Sequence, residues 1–245
     1  MKRTLFAIAL AALASFPALA QDAKTPTLTL HTTDNTSKSP TARIWGLPKV
    51  PGNIVFYGGD SNSNSAGYAN ENTLLIGDTS VYAAVTAPKS GKVTVTAVFF
   101  ATTSTVGDVF DPPTGTYDVR IGVSNGNCGT DLASGSGPQT AVPTGRTLDG
   151  IPEYFTTVAF AKPLTAQDGV TYWFNETPQC TNSGESACDS AEYYFDTTPN
   201  EANGVNANAQ PAGQLYENSS FFGYTCTQLC STSDQACRGS WGLQN

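Results

Sequence analysis

The chain of 245 residues contains one histidine and one methionine, and only 13% of its residues are charged. The histidine, His31, lies in a Thr-rich segment far along the sequence from every cysteine, which disfavours Ser-His-Asp and Cys-His catalysis. The sequence also lacks Cys-x-x-Cys zinc ligands, a phosphate-binding glycine loop followed by lysine, and a dinucleotide-binding fingerprint. These absences leave carboxylate chemistry, an oxygen-ligated metal, or no catalysis.

Long helices are disfavoured, because leucine, methionine, lysine and glutamate are scarce while threonine, valine, glycine, asparagine and serine are abundant. Short segments of alternating polarity recur instead; in TYDVRIGVS, Tyr117, Val119, Ile121 and Val123 fall on one face. The pattern predicts an all-β fold, an antiparallel β-sandwich of jelly-roll type with disulfide-stapled C-terminal loops. The predicted strands cover residues 53–57, 80–86, 92–101, 116–124, 154–160, 170–175, 191–197, 219–225 and 239–243.

The first twenty residues, MKRTLFAIALAALASFPALA, have the organisation of a signal peptide. Lys2 and Arg3 precede an apolar stretch, and Ala18-Leu19-Ala20 forms a small-residue cleavage signature. The apolar stretch is short for a retained anchor, and no later stretch is apolar enough for a membrane helix. We therefore expect a signal peptide (1–20), a Thr/Pro-rich N-terminal segment (21–48) and a β-sandwich domain (49–245), secreted or periplasmic, with no membrane span in the mature chain.

The mature chain is acidic. Removal of Lys2 and Arg3 leaves 10 basic residues against 20 acidic ones, a net charge near −10. Nucleic acid and anionic membranes are therefore disfavoured as partners.

An even number of cysteines in an exported protein predicts disulfides without a free thiol. Short loops close most readily, which favours Cys180 with Cys188 and Cys230 with Cys237. The six cysteines are Cys128, Cys180, Cys188, Cys226, Cys230 and Cys237.

The stretch GGDSNSNSAGYANEN, residues 58–72, has the ligand spacing of a twelve-residue calcium loop. The sixth position is Ser65, where such a loop requires glycine, and no amphipathic helix flanks it. A calcium site and an ordinary surface loop both remain open, and calcium is the one cofactor the sequence suggests. The ligands at positions 1, 3, 5 and 12 would be Asp60, Asn62, Asn64 and Glu71.

A glycosidase needs two carboxylates about 5–10 Å apart across a cleft. The stretch DSAEYYFD offers the best candidates, with Glu192 and Asp196 beside Tyr193 and Tyr194. The same four residues could bind a ligand without catalysis, and the simpler interpretation is an edge strand with solvated acids. The tryptophans, which could stack on a sugar or pack in the core, are Trp45, Trp173 and Trp241.

The segments VYAAVTAPKSGKVTVTAVFF, YDVRIGVSNGNCGTDLASGSG and FTTVAFAKPLTAQDGVTYWF together resemble secreted bacterial jelly-roll domains of the choice-of-anchor R family. The resemblance covers about residues 50–243. Thr171-Tyr172-Trp173 is its most specific part, whereas Cys128-Gly129 replaces the family's usual Pro-Gly. The resemblance implies an exported or surface-displayed accessory domain and provides no catalytic residues.

We therefore expect an exported, non-catalytic binding or structural module at the cell exterior. Its partner would be an extracellular polysaccharide or another surface polymer, or a surface protein. The alternative is a carboxylate-based hydrolase or lyase that acts on extracellular polysaccharide.

Overall fold

A computed structural model describes residues 27–29, 54–62, 65–73, 76–89, 92–105, 114–180, 192–198, 204–230 and 238–245. In these residues the chain forms fifteen β-strands and one short 3-10 helix, Ala207–Ala209, with no α-helix. The strands are β1 (Thr27–Thr29), β2 (Ile54–Tyr57), β3 (Ala66–Ala69), β4 (Glu71–Thr73), β5 (Gly77–Thr86), β6 (Val93–Ser104), β7 (Thr114–Ile121), β8 (Thr130–Leu148), β9 (Ile151–Ala166), β10 (Thr171–Cys180), β11 (Tyr193–Thr198), β12 (Leu215–Ser219), β13 (Tyr224–Gln228), β14 (Arg238–Gly239) and β15 (Trp241–Gln244).

The strands form two hydrogen-bonded parts, here named sheet A and sheet B. Sheet A has the order β1-β3-β11-β6-β9-β8; β15 pairs with β6 beside β11, and β2 pairs with β15. Sheet B contains β7, β10, β5, β12 and β13, and β4 pairs with both β5 and β10. Strand β8 belongs to both sheets, because it pairs with β7 up to Pro138 and with β9 from Gln139 onward.

The main core lies between the facing surfaces of the two sheets. Phe100 and Trp241 of sheet A pack in one cluster with Val119 and Phe174 of sheet B. The ring centroids of Phe174 and Trp241 are 5.6 Å apart. The prediction of an all-β fold is confirmed, and the facing sheets support the sandwich arrangement. The purely antiparallel pairing is corrected in one place, since β4 and β10 run parallel.

Most of the predicted strands are present, but three segments differ from the prediction. Strands β3 and β4 occupy part of the 58–72 stretch, which is therefore more than a surface loop. Strand β8, with 19 residues, was not predicted. The middle of the predicted strand 219–225 is instead the turn of the β12–β13 hairpin, where the backbone N–H of Phe222 donates to Ser219 Oγ and Gly223 has a φ of 72°.

A disulfide joins Cys128, in the loop after β7, to Cys226 of β13 across a Cα–Cα distance of 5.2 Å. Cys180 and Cys230 are also disulfide-bonded, so none of the four cysteines that the structure describes is free. Cys188 and Cys237 lie outside the described residues, and the two predicted short-loop pairings therefore stay predictions.

No helix in the described ranges is long and apolar enough to cross a membrane. Except for Thr27–Thr29, the predicted signal peptide and N-terminal segment lie outside these ranges, as do His31 and Trp45.

Candidate functional site

The residues predicted to bind a ligand lie in and next to β11. This strand is hydrogen-bonded to β3 on one side and β6 on the other, so the edge-strand interpretation is wrong. Tyr193, Tyr194 and Asp196 are buried, and only Glu192 is partly exposed, where it accepts a hydrogen bond from the Tyr194 hydroxyl. The four residues are adjacent, but they do not form an exposed aromatic surface.

An ion-pair cluster lies on the face of sheet A away from the main core. Arg146 Nη1 is 2.7 Å from Asp60 Oδ1, and its Nε donates to Glu153 Oε1 at 2.7 Å. The Tyr57 hydroxyl donates to the same Asp60 oxygen at 2.6 Å, and the Ser61 hydroxyl donates to the other oxygen of Glu153. The guanidinium thus links β8 and β9 to the segment that follows β2.

Asp196 borders this cluster and is fully buried. Burial raises the pKa of Asp196 well above its ordinary value, and the negative charge of Glu153 raises it further. The Thr103 hydroxyl donates a hydrogen bond to Oδ1 of Asp196 at 3.2 Å, which acts in the opposite direction. A neutral acid beside a second carboxylate is the kind of pair that a hydrolase uses. Here Asp196 is 0% and Glu153 1% exposed, so the pair is enclosed and its visible role is to join β9 to β11.

The candidate calcium ligands have separate environments. Asp60 is bonded to Arg146 and Tyr57, and Asn62 forms a turn with Ser65, whose backbone N–H donates to the Asn62 carbonyl at 2.9 Å. Glu71 is buried in β4, and Asn64 lies outside the described residues. Within the described ranges, no three His, Cys, Asp or Glu side chains could hold a metal ion together.

Two of the acids that are buried in sheet B, Glu71 and Glu176, have raised pKa values. Burial raises the pKa of Glu71 to about 8, although Thr73 and the backbone of Tyr193 act in the opposite direction. Burial likewise raises the pKa of Glu176 to about 8, against hydrogen bonds from Thr156, at 2.7 Å, and from Gln139. Because their pKa values of about 8 lie above neutral pH, both enclosed acids are mostly protonated, and so uncharged, at pH 7.

An opening that could take a ligand lies where the two sheets separate at one end of the core. This cleft has a volume of about 1070 Å³, slightly above the range of about 300–1,000 Å³ usual for small-molecule sites. The turns that join β5 to β6 and β9 to β10 lie at this end. Its apolar lining continues into the main core and includes Phe56, Val85, Val95, Tyr172, Phe174 and Leu243.

The rim of the cleft is more polar than its interior. Lys89, Asn206 and Asn208 are exposed lining residues, and Lys89 is the one charged side chain among the lining residues that the structure describes. The Asn206 side chain donates to the Val55 carbonyl at 2.9 Å, which fixes one side of the rim to β2. The Tyr172 hydroxyl accepts from the backbone of Gln167 at 2.8 Å, which fixes the ring at the opposite side.

No family model, curated protein or solved structure matches this chain. The site must therefore be interpreted from its own geometry.

A second exposed feature is the turn of the β12–β13 hairpin, here named the aromatic turn (219–224). Phe221 is 58% exposed, and its ring meets that of Phe222 edge-on at 4.9 Å. The rings of Phe222 and Tyr224 are 6.1 Å apart with an interplanar angle of 31°. Trp173 and Trp241, in contrast, are buried and belong to the hydrophobic clusters, in agreement with the core-packing interpretation.

Sequence reasoning missed the cleft because its lining residues come from seven separate parts of the chain and look like ordinary core residues. The one usable signal was PKSG between two predicted strands, which placed Lys89 in a turn at the end of the sandwich. The aromatic turn was visible as SSFFGYT, but its aromatic content predicted a strand.

Proposed function

We propose that the protein is an exported, non-catalytic binding protein that holds a small apolar or amphipathic molecule in the cleft. One observation carries the proposal: a cavity of about 1070 Å³ with an apolar interior and a polar rim opens at the end of the core. Burial of apolar ligand surface would provide the main driving force for binding.

The chemistry of the lining supports binding without catalysis. No Asp, Glu, His or Cys side chain is among the described lining residues. The acid pair Asp196 and Glu153 is enclosed on the other face of sheet A, so it does not act on a molecule in the cleft. The predicted signal peptide and the resemblance to choice-of-anchor R domains support a location at the cell exterior.

The test uses the neutral fluorescent probe N-phenyl-1-naphthylamine and the mature chain. We expect the fluorescence to rise on binding. The variant Ala209→Trp should weaken binding about tenfold or more, because Ala209 lines the cleft and the larger ring takes up its volume.

Ala212→Trp is the matched control, because it adds the same ring three residues further on, outside the described lining. Thermal melts of both variants would check that each of them folds. Absence of a fluorescence rise with the wild type, or equal affinity of the wild type and Ala209→Trp, would contradict the proposal.

The aromatic turn supports a second candidate function, the binding of a surface polysaccharide. An exposed phenyl ring offers an apolar face for a sugar ring, and the Cys128–Cys226 disulfide holds β13 in place next to it. We expect Phe221→Ala to reduce retention on an insoluble polysaccharide. Leu132→Ala is the control, since Leu132 is also a large exposed apolar residue, 43% accessible. Equal retention of the two variants would remove the aromatic turn as a binding site.

A further inference from the structure

We infer that the cleft is selective for an anionic amphiphile, such as a long-chain carboxylate, whose tail enters the apolar interior while its charged group pairs with Lys89. This inference rests on the proposed function, which requires only that the cleft binds apolar molecules. It adds the sign of the ligand's charge and the residue that recognises it.

The position of Lys89 is fixed by the turns around it. The backbone N–H of Ala87 donates to the Val170 carbonyl at 2.9 Å, and that of Gly169 donates to the Ala87 carbonyl at 3.1 Å. The methylenes of the Lys89 side chain run beside Gly169, where an added Cβ would lie 3.9 Å from both Cγ and Cε. The lysine is thus held at the rim by its backbone and its stem, while its ammonium group is exposed.

No acidic side chain among the described residues pairs with Lys89, so its ammonium group is available to a ligand. Among the described residues it forms no ion pair, and Asp168 of the neighbouring turn is not within ion-pair distance of it. Lys92, exposed next to the lining residue Val93, adds a second positive charge at the same end. Because Lys89 is the one charged residue among the described lining residues, the rim favours an anionic group over a cationic or neutral one.

The uncharged rim groups fit the same class of ligand. Asn208 is exposed, and its amide can donate a hydrogen bond to a carboxylate oxygen. The interior selects for the length of the ligand's tail, because each tail methylene removed from water contributes about 0.8 kcal/mol, or about fourfold in affinity. The ligand should therefore be distinguished by chain length in the interior and by charge at the rim.

The experiment measures displacement of N-phenyl-1-naphthylamine from the mature chain by dodecanoate, dodecanol and dodecyltrimethylammonium at pH 8 and concentrations below micelle formation. We expect dodecanoate to bind about fivefold more tightly than dodecanol, the size of effect an exposed ion pair supports, and the cation to bind most weakly. The preference should decline as salt is added, because Lys89 is exposed. Decanoate should bind about fourfold per methylene more weakly than dodecanoate.

Lys89→Gln should abolish the preference for dodecanoate over dodecanol. Lys162→Gln, at an exposed lysine outside the described lining, should retain the preference. If the probe binds but dodecanoate and dodecanol compete equally, the inference fails and the proposed function stands. If neither the probe nor any amphiphile binds, the proposed function itself fails.

Discussion

Glu176 is a fully buried acid whose pKa, about 8, lies above the ordinary value of 4.5 because burial penalises its charged form. An acid with a raised folded-state pKa contributes stability that is present below pH 4.5 and is lost as the pH rises through 8. Glu176→Gln keeps a neutral group of the same shape, and the hydroxyl of Thr156 can reverse its hydrogen bond to accept from the new amide.

We expect Glu176→Gln to match the wild type near pH 5 and to be more stable near pH 9, by on the order of 4 kcal/mol. Urea unfolding at both values measures this difference. Asp168→Asn, at an exposed acid, is the control and should show no such gain. A gain of the same size at both pH values would contradict the role of ionisation.

Gly242 of β15 lies where two neighbouring strands leave no space for a side chain. A Cβ there would be 2.2 Å from Phe99 Cζ and 2.5 Å from the Phe56 carbonyl oxygen, which is part of the β2 backbone. We expect Gly242→Ala to lower the free energy of unfolding by about 2 kcal/mol or more, measured by urea unfolding. Gly137→Ala, in β8, is the control, because its nearest contact would be an ordinary 3.9 Å and its cost should be small.

The inward positions of strongly alternating strands were predicted from sequence, and Tyr117 and Val119 are indeed buried. The burial of Asp196 was not predicted, because it depends on β3 lying beside β11 and on Arg146 approaching from β8. Strand β3 and Arg146 lie in segments whose sequences show no recognisable strand pattern. Whether an acidic residue is buried thus depends on the neighbouring strands, which cannot be identified from the sequence of its own strand.

Strand β8 shows why whole elements escape sequence analysis. Its residues are mostly half-buried or exposed, so it lacks the apolar alternation that marks other strands. Hydrogen bonds to β7 and then β9 hold it in place instead. The aromatic turn shows the converse error, because phenylalanines that favour a strand lie in a turn when Gly223 adopts a positive φ.

The Cys128–Cys226 disulfide attaches β13, the last strand of sheet B, to the loop after β7. It joins residues 98 apart, a span for which chain-entropy models give a stabilisation of about 5 kcal/mol. We expect the double variant Cys128→Ser with Cys226→Ser to melt at a clearly lower temperature than the wild type.

Chymotrypsin should also cleave this variant first in the aromatic turn, since β13 loses its covalent attachment. Mass spectrometry of the early fragments locates the cut. An unchanged melting temperature would mean that the backbone bonds to the neighbouring loop, such as Gly126 N–H to the Cys226 carbonyl at 3.2 Å, suffice to hold the strand.

The molecule as a whole carries several buried acids with raised pKa values. Glu71 and Glu176 have values of about 8, and burial raises that of Asp196 as well. Each contributes stability at acidic pH that is lost as the pH rises. We expect the urea midpoint to fall steadily between pH 5 and pH 9, while the growing negative charge acts in the same direction. A midpoint that is highest near pH 8 would contradict this expectation.

The pairing of β2 with β15 determines when the cleft can form during synthesis. Ile54, Val55 and Phe56 line the cleft, and they are held by a strand from the far end of the described chain, in which Leu243 pairs with Phe56. A contact between such distant segments forms slowly, because a long loop must close first. The two sheets can begin to assemble from nearer neighbours, but a nascent chain that has not yet extended to Leu243 has no finished cleft.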